Sequence, residues 1–169
     1  MKLSQYQSEA LHFAHPSREH VLRVAVAGMG LAGEAAEVLQ VARTYKGDLE
    51  EMTLELGDVI WYGAELASVF GLSLEEVDVQ DPGLDMRTLA EEVVILAGAA
   101  TDYLKKVVGQ GHPPDKERIS AMLHAVFSCI ARMALAAGTT LQRVCEANIT
   151  KLTRRYPNGF TSERSIHRD

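Results

Sequence analysis

In LEEMTLELGDVIWYGAELASVFG (49–71) the positions Met52, Leu56, Val59, Ile60, Gly63, Ala67 and Phe70 recur at steps of three and four. That spacing gathers them on one side of an α-helix and would scatter them over both faces of a strand. The stretches around 87–109, 115–137 and 140–156 behave in the same way. Breaks fall at Pro16, Gly71, QDPGLD (80–85), GQGHPPD (109–115), Gly138 and YPNGF (156–160). The chain is therefore expected to be all-α, a bundle of about six helices. With 169 residues it has the length of one domain, or of two small halves that share a core.

One stretch competes with this reading. VLRVAVAGMGLAGEAAEV carries G-x-G-x-x-G at Gly28, Gly30 and Gly33 after a possible strand, the spacing of a dinucleotide-binding loop. That fold needs a second strand ending in an acid about 20 residues further on. The residues there, DLEEMTLELGD, are polar and helical in period, so close helix–helix contact is the better use of the glycines.

Charge divides the chain unevenly. Residues 1–85 hold 5 Lys/Arg against 15 Asp/Glu, whereas residues 86–169 hold 12 against 8. The net charge of −6 argues against a nucleic-acid partner. An acidic half joined to a basic half suggests that the two meet, or that each grips a different part of one ligand. Cys129 and Cys145 sit in apolar helical patterns without C-x-x-C spacing and read as reduced core residues of a cytoplasmic protein. Neither a signal peptide nor a membrane span is expected.

The halves also align. LAGEAAEVLQVARTYKG (31–47) matches LAGAATDYLKKVVGQGH (96–112), and ELGDVIWYGAELASVFGLSLEEV (55–77) matches MLHAVFSCIARMALAAGTTLQRV (122–144). Leu31/Leu96, Gly33/Gly98, Leu39/Leu104, Val59/Val126, Gly71/Gly138, Leu74/Leu141 and Val77/Val144 coincide. This is the mark of a duplicated helical unit, with residues 1–79 as an acidic repeat, 80–86 as a linker and 87–169 as a basic repeat. Glu34, Glu55 and Asp58 are replaced in the second copy by Ala99, Met122 and Ala125, while Glu37 corresponds to Asp102. One composite site in a fused pseudo-dimer is the expectation.

The first copy carries two acid pairs, Glu34/Glu37 and Glu55/Asp58, separated by 17 residues and set among Leu, Val, Ala and Met. Two antiparallel helices would bring them face to face. Clustered carboxylates beside apolar neighbours are driven toward protonation unless a cation neutralises them. Four oxygen donors without histidine suit a hard ion, Mg²⁺ with Mn²⁺ as a substitute. Glu50, Glu51, Glu75 and Glu76 read instead as solvated acids.

In the second copy, NITKLTRRYP sets Asn148, Lys151 and Arg155 at steps of three and four, opposite an apolar stripe of Leu141, Cys145, Ile149, Leu152 and Tyr156. Arg supplies a fork and Lys a point charge for phosphate oxygens. Acids that hold Mg²⁺ opposite such cations read as a polyphosphate site.

At these residues the chain resembles the MazG-like nucleoside triphosphate pyrophosphohydrolases of the all-α NTP pyrophosphatase superfamily. The shared pattern is E-x-x-E, a spacer, then E-x-x-D, together with ELGDVIWY (55–62), the opening LSQYQSEALHFA and the tail ANITKLTRRYPNGFTSERSIHR. The resemblance implies Mg²⁺-dependent cleavage of a nucleoside triphosphate to monophosphate and pyrophosphate. It also implies that Glu34, Glu37, Glu55 and Asp58 bind metal, and that Tyr62 faces the phosphates. Lys105, Asn148, Lys151 and Arg155 would contact triphosphate or sugar. Glu37 and Glu55 are the candidate catalytic carboxylates, Glu37 as the group that positions or deprotonates water, and Trp61 is a candidate for stacking on the base. His12, His15 and His20 lie near enough in sequence to reach it. The doubled motif departs from the family pattern and resembles the logic of dimeric dUTPases; a monomeric pseudo-dimer or a homodimer would both accommodate it. A nucleotide or metal sensor without turnover is the rival function.

Overall fold

The computed structural model describes residues 1–15 and 19–167, so the break expected at Pro16 lies outside the described residues. Its elements in order are α1 (Leu3–Ala10), a 3₁₀ turn (Leu11–Phe13), α2 (His20–Thr44), α3 (Leu49–Val69), α4 (Met86–Gln110), α5 (Lys116–Ala136), α6 (Leu141–Arg155) and α7 (Ser162–Ile166). The chain is all-α, as its apolar periodicity predicts. Among the described residues the one β feature is a bridge between Pro157 and Gly159.

Side chains that bind the first free backbone N–H groups start most of the helices. Asp48, Asp85, Asp115 and Thr140 accept from backbone N–H groups at the N-termini of α3, α4, α5 and α6. Helix α1 has no such cap of its own; Glu76 reaches across and accepts from Leu3 N at 2.7 Å. Glu76 is thus an anchor for α1, although its sequence context reads as a plain solvated acid.

Two long hairpins, α2–α3 and α4–α5, pack through α2 against α4, and α3 also touches α5 and α6. Helix α1 lies on α3 and α6. One core runs through both hairpins, with Leu31, Val38, Met52, Leu56 and Ile60 from the first and Leu89, Val93, Phe127, Ile130 and Met133 from the second. Helices α2 and α4 each have 25 residues and α3 and α5 each have 21, the symmetry a duplication would leave.

The two halves differ after the hairpins. Residues 72–79 run without helix, whereas the matching segment after α5 opens α6. Gln7 supplies the backbone bonds that a helix would have made: its Nε2 donates to Leu72 O at 2.8 Å and its Oε1 accepts from Leu74 N at 2.9 Å.

The three glycines of the G-x-G-x-x-G pattern lie inside the continuous helix α2. A phosphate-binding loop of the dinucleotide type needs a strand–turn–helix junction, and that reading is excluded here. A Cβ on Gly30 would stand 2.2 Å from the Tyr62 ring, so absence of a side chain lets α3 approach. By length and composition α2 and α5 are apolar enough to cross a membrane, a property that core helices share; α5 sets Leu123, Phe127, Ile130 and Met133 into the core.

Candidate functional site

The facing surfaces of α2 and α3 bring three of the four acids together. Glu34, Glu37 and Glu55 each have a carboxylate oxygen within 4.8 Å of the other two. Glu34 and Glu55 are half-buried and Glu37 is exposed. Burial, followed by the charges of Asp58, Glu37 and Glu55, pushes the Glu34 carboxyl up to about 7. Burial and then Asp58 raise Glu55 as well. Lys151 pulls both in the opposite direction without cancelling the rise. The charge of Lys151 therefore does not offset burial and the neighbouring carboxylates.

Asp58 has a different environment, built by α6. Its Oδ1 accepts from Asn148 Nδ2 at 3.1 Å and its Oδ2 accepts from Lys151 Nζ. This ion pair joins an acid of the first half to a base of the second. Asn148 in turn accepts at Oδ1 from the Tyr6 hydroxyl, at 2.8 Å. Tyr6 and Asn148 are both fully buried.

The position of Asn148 corrects the assignment of faces on α6. Leu141, Cys145, Asn148 and Leu152 form the buried stripe, and Ile149 is only half-buried. Asn148 belongs with the core residues because its amide is bonded on both sides within the protein. It is therefore occupied by Tyr6 and Asp58, where the resemblance implies a contact to substrate. Gly57 makes this possible: a Cβ there would stand 2.9 Å from Asn148 Cβ and 3.0 Å from its Nδ2.

A cavity of about 310 Å³ opens from the acids. Glu34, Glu37, Glu55 and Asp58 line it together with Tyr62, Lys151 and Arg155. Trp61 also lines it, with its indole N–H donating to Ala10 O at 3.3 Å and its ring edge-on to Tyr62, centroids 4.8 Å apart. Phe13, His15, Val26, Leu152, Tyr156, Phe160 and Ser165 complete the walls.

Lys105 stands elsewhere. It pairs with Asp102 at 2.5 Å on the exposed side of α4 and lines a separate hollow between α2 and α4, beside Val24, Met29 and Leu104. A step from Asp102 to Lys105 on one helix favours that local pair. Of the three N-terminal histidines, His15 lines the acid cavity. His12 is exposed with Nδ1 near Glu9 O, and His20 lies edge-on to Phe70. Cys129 and Cys145 are free and buried, and burial pushes both thiols up to about 12, which suits inert core residues.

Sequence reasoning missed Tyr6, Phe13, Tyr156, Phe160 and Ser165 as neighbours of the acids. Aromatic residues at the two ends of the chain carry no spacing signal that links them. No protein-family model, no curated protein and no solved structure matches the chain.

Proposed function

We propose that the protein hydrolyses nucleoside triphosphates to the monophosphate and pyrophosphate with Mg²⁺, as the MazG-like resemblance implies. The observation that carries the reading is the convergence of Glu34, Glu37 and Glu55 in a cavity that also holds Lys151 and Arg155. The donor set suits a hard divalent ion, since its oxygens are all carboxylates, and burial with the neighbouring carboxylates raises Glu34 to about 7. Glu34, Glu37, Glu55 and Asp58 would hold Mg²⁺, and Mn²⁺ would substitute. Its chemistry when bound would be to draw charge from the phosphate oxygens.

The remaining steps fall to the chain. Lys151 and Arg155 neutralise the polyphosphate, Arg155 through its planar fork. Glu37, the exposed member of the cluster, takes a proton from a water, and Glu55 orients that water. The water oxygen bonds to the α-phosphorus as the bond from that phosphorus to the bridging oxygen breaks. Pyrophosphate leaves with the bonding pair, and the proton passes from Glu37 to solvent. Fusion of two helical units into a pseudo-dimer would account for the single acid cluster and the equal helix lengths.

The test is turnover of a panel of NTPs and dNTPs with Mg²⁺, with pyrophosphate and orthophosphate quantified separately. Pyrophosphate in step with monophosphate is the expected result. Orthophosphate alone would replace the proposal with a different phosphatase chemistry. Binding without product would make the protein a nucleotide or metal sensor.

A further inference from the structure

Both oxygens of Asp58 are engaged by α6. Oδ1 accepts from Asn148 Nδ2 at 3.1 Å and Oδ2 accepts from Lys151 Nζ. Asp58 lies one turn beyond Glu55 on α3, yet the carboxylates within 4.8 Å of one another are those of Glu34, Glu37 and Glu55. The two partners of Asp58 differ in freedom. Asn148 is fully buried and is fixed on its other side by the Tyr6 hydroxyl at 2.8 Å. Lys151 reaches Asp58 from the cavity wall and is partly exposed. Its flexible stem lets the ammonium leave Asp58 while α6 stays docked on α3.

Charge decides which partner that ammonium takes. Burial raises Glu34 and Glu55, and the Lys151 charge opposes the rise in both, so its field reaches the glutamates as well as Asp58. A divalent cation brought to the three glutamates meets the ammonium as a like charge. A polyphosphate in the same cavity meets it as an opposite charge, with several anionic oxygens competing against the one carboxylate of Asp58.

We infer that Lys151 is a latch on the site: it withholds Asp58 from a divalent cation until a polyphosphate draws the ammonium away, so that cation and polyphosphate are retained together. The inference rests on the reading that the cavity takes both ligands. Movement of Nζ frees Asp58 Oδ2 to join the three glutamates as a donor, while Asn148 keeps hold of Oδ1. By linkage, each ligand then raises the affinity for the other by the same factor.

Equilibrium dialysis against Mn²⁺ tests the latch without turnover. Lys151→Met keeps the apolar stem and removes the ammonium; it should bind Mn²⁺ about tenfold more tightly than the parent. Lys151→Arg keeps the charge and should bind as the parent does. Arg155→Met removes an equal charge from the same cavity, leaves the Asp58 pair in place and should stay within about twofold of the parent, since solvent and salt screen charges not in contact. Inorganic triphosphate added to the parent should raise the Mn²⁺ retained with protein, although it chelates the ion in solution. If Lys151→Met does not fold, this last arm decides alone. Mn²⁺ affinity in Lys151→Met no higher than the parent's, an equal gain in Arg155→Met, or no gain in retained Mn²⁺ with triphosphate would overturn the latch. Pyrophosphate release from NTPs by the parent separates the two readings. Release with no gain in Lys151→Met sinks the latch and leaves the hydrolase; a gain without release does the reverse.

Discussion

Asn148 Nδ2 donates to Asp58 Oδ1 at 3.1 Å, joining residues 90 positions apart in the chain. The Tyr6 hydroxyl sets the direction of that bond. Burial holds the Tyr6 phenol well above its ordinary value, so it stays protonated and donates to Asn148 Oδ1. The amide then has only N–H left to offer Asp58, whose Oδ1 accepts it. Lys151 holds the other oxygen.

Tyr6→Phe keeps the ring in the core and leaves Asn148 Oδ1 buried without a donor. The expected loss is about 1–3 kcal/mol of stability, read from urea unfolding midpoints. Asn148→Asp should cost more, because it sets a second carboxylate against Asp58. A Tyr6→Phe midpoint equal to that of the parent would refute the role given to this hydroxyl.

Two glycine substitutions should act with opposite signs. Gly57→Ala drives a methyl to 2.9 Å from Asn148 Cβ, a contact that only a shift of α6 relieves, at a cost of about 1–3 kcal/mol. Gly33→Ala meets nothing within 4 Å on the exposed side of α2 and should stabilise by up to about 1 kcal/mol. Thermal melts of the pair check the packing of α6 on α3 directly; the same sign for both would contradict it.

Glu55→Gln should abolish pyrophosphate release, since it removes a charge from the cluster without changing its shape. Glu50→Gln, on the exposed first turn of α3, should keep activity within about twofold. Steady-state turnover of both decides the assignment, which fails if the two variants are equally active.

The acid cluster also sets a dependence on pH. Glu34 is raised from 4.5 to about 7 in the folded chain, so the folded state binds more protons than the unfolded state between those values. Its contribution to stability is complete below about pH 4.5 and is lost as pH rises through about 7. Glu55 moves in the same direction. Asp85 and Asp102 are lowered, the latter to about 2, and act only in acid below this window. The melting temperature of metal-free protein should therefore fall between pH 5 and pH 8, and saturating Mg²⁺ should remove most of the fall. Scanning calorimetry across that range, with and without Mg²⁺, tests it; a metal-free melting temperature that climbs through the window would refute the raised carboxyls.

The sequence by itself determined the helices and the meeting of Glu34 and Glu37 with Glu55. Both are local properties: apolar residues at steps of three and four define a helix face, and the same period sets the paired acids one turn apart. A short link between α2 and α3 then leaves little freedom except an antiparallel hairpin. Tertiary structure alone decided the rest. Asn148 and Lys151 are both polar residues on α6, yet docking against α1 and α3 buries the first and leaves the second half-exposed beside Asp58. Lys105 has the same side chain as Lys151, but on α4 it pairs with Asp102 and lines a hollow separate from the acids. Phe13 and Phe160 come together because the turn after α1 and the reversal at Gly159 bring both ends of the chain to one cavity. Residue type and period fix what a helix face offers; which neighbour covers it depends on how the helices dock, and no local spacing records that.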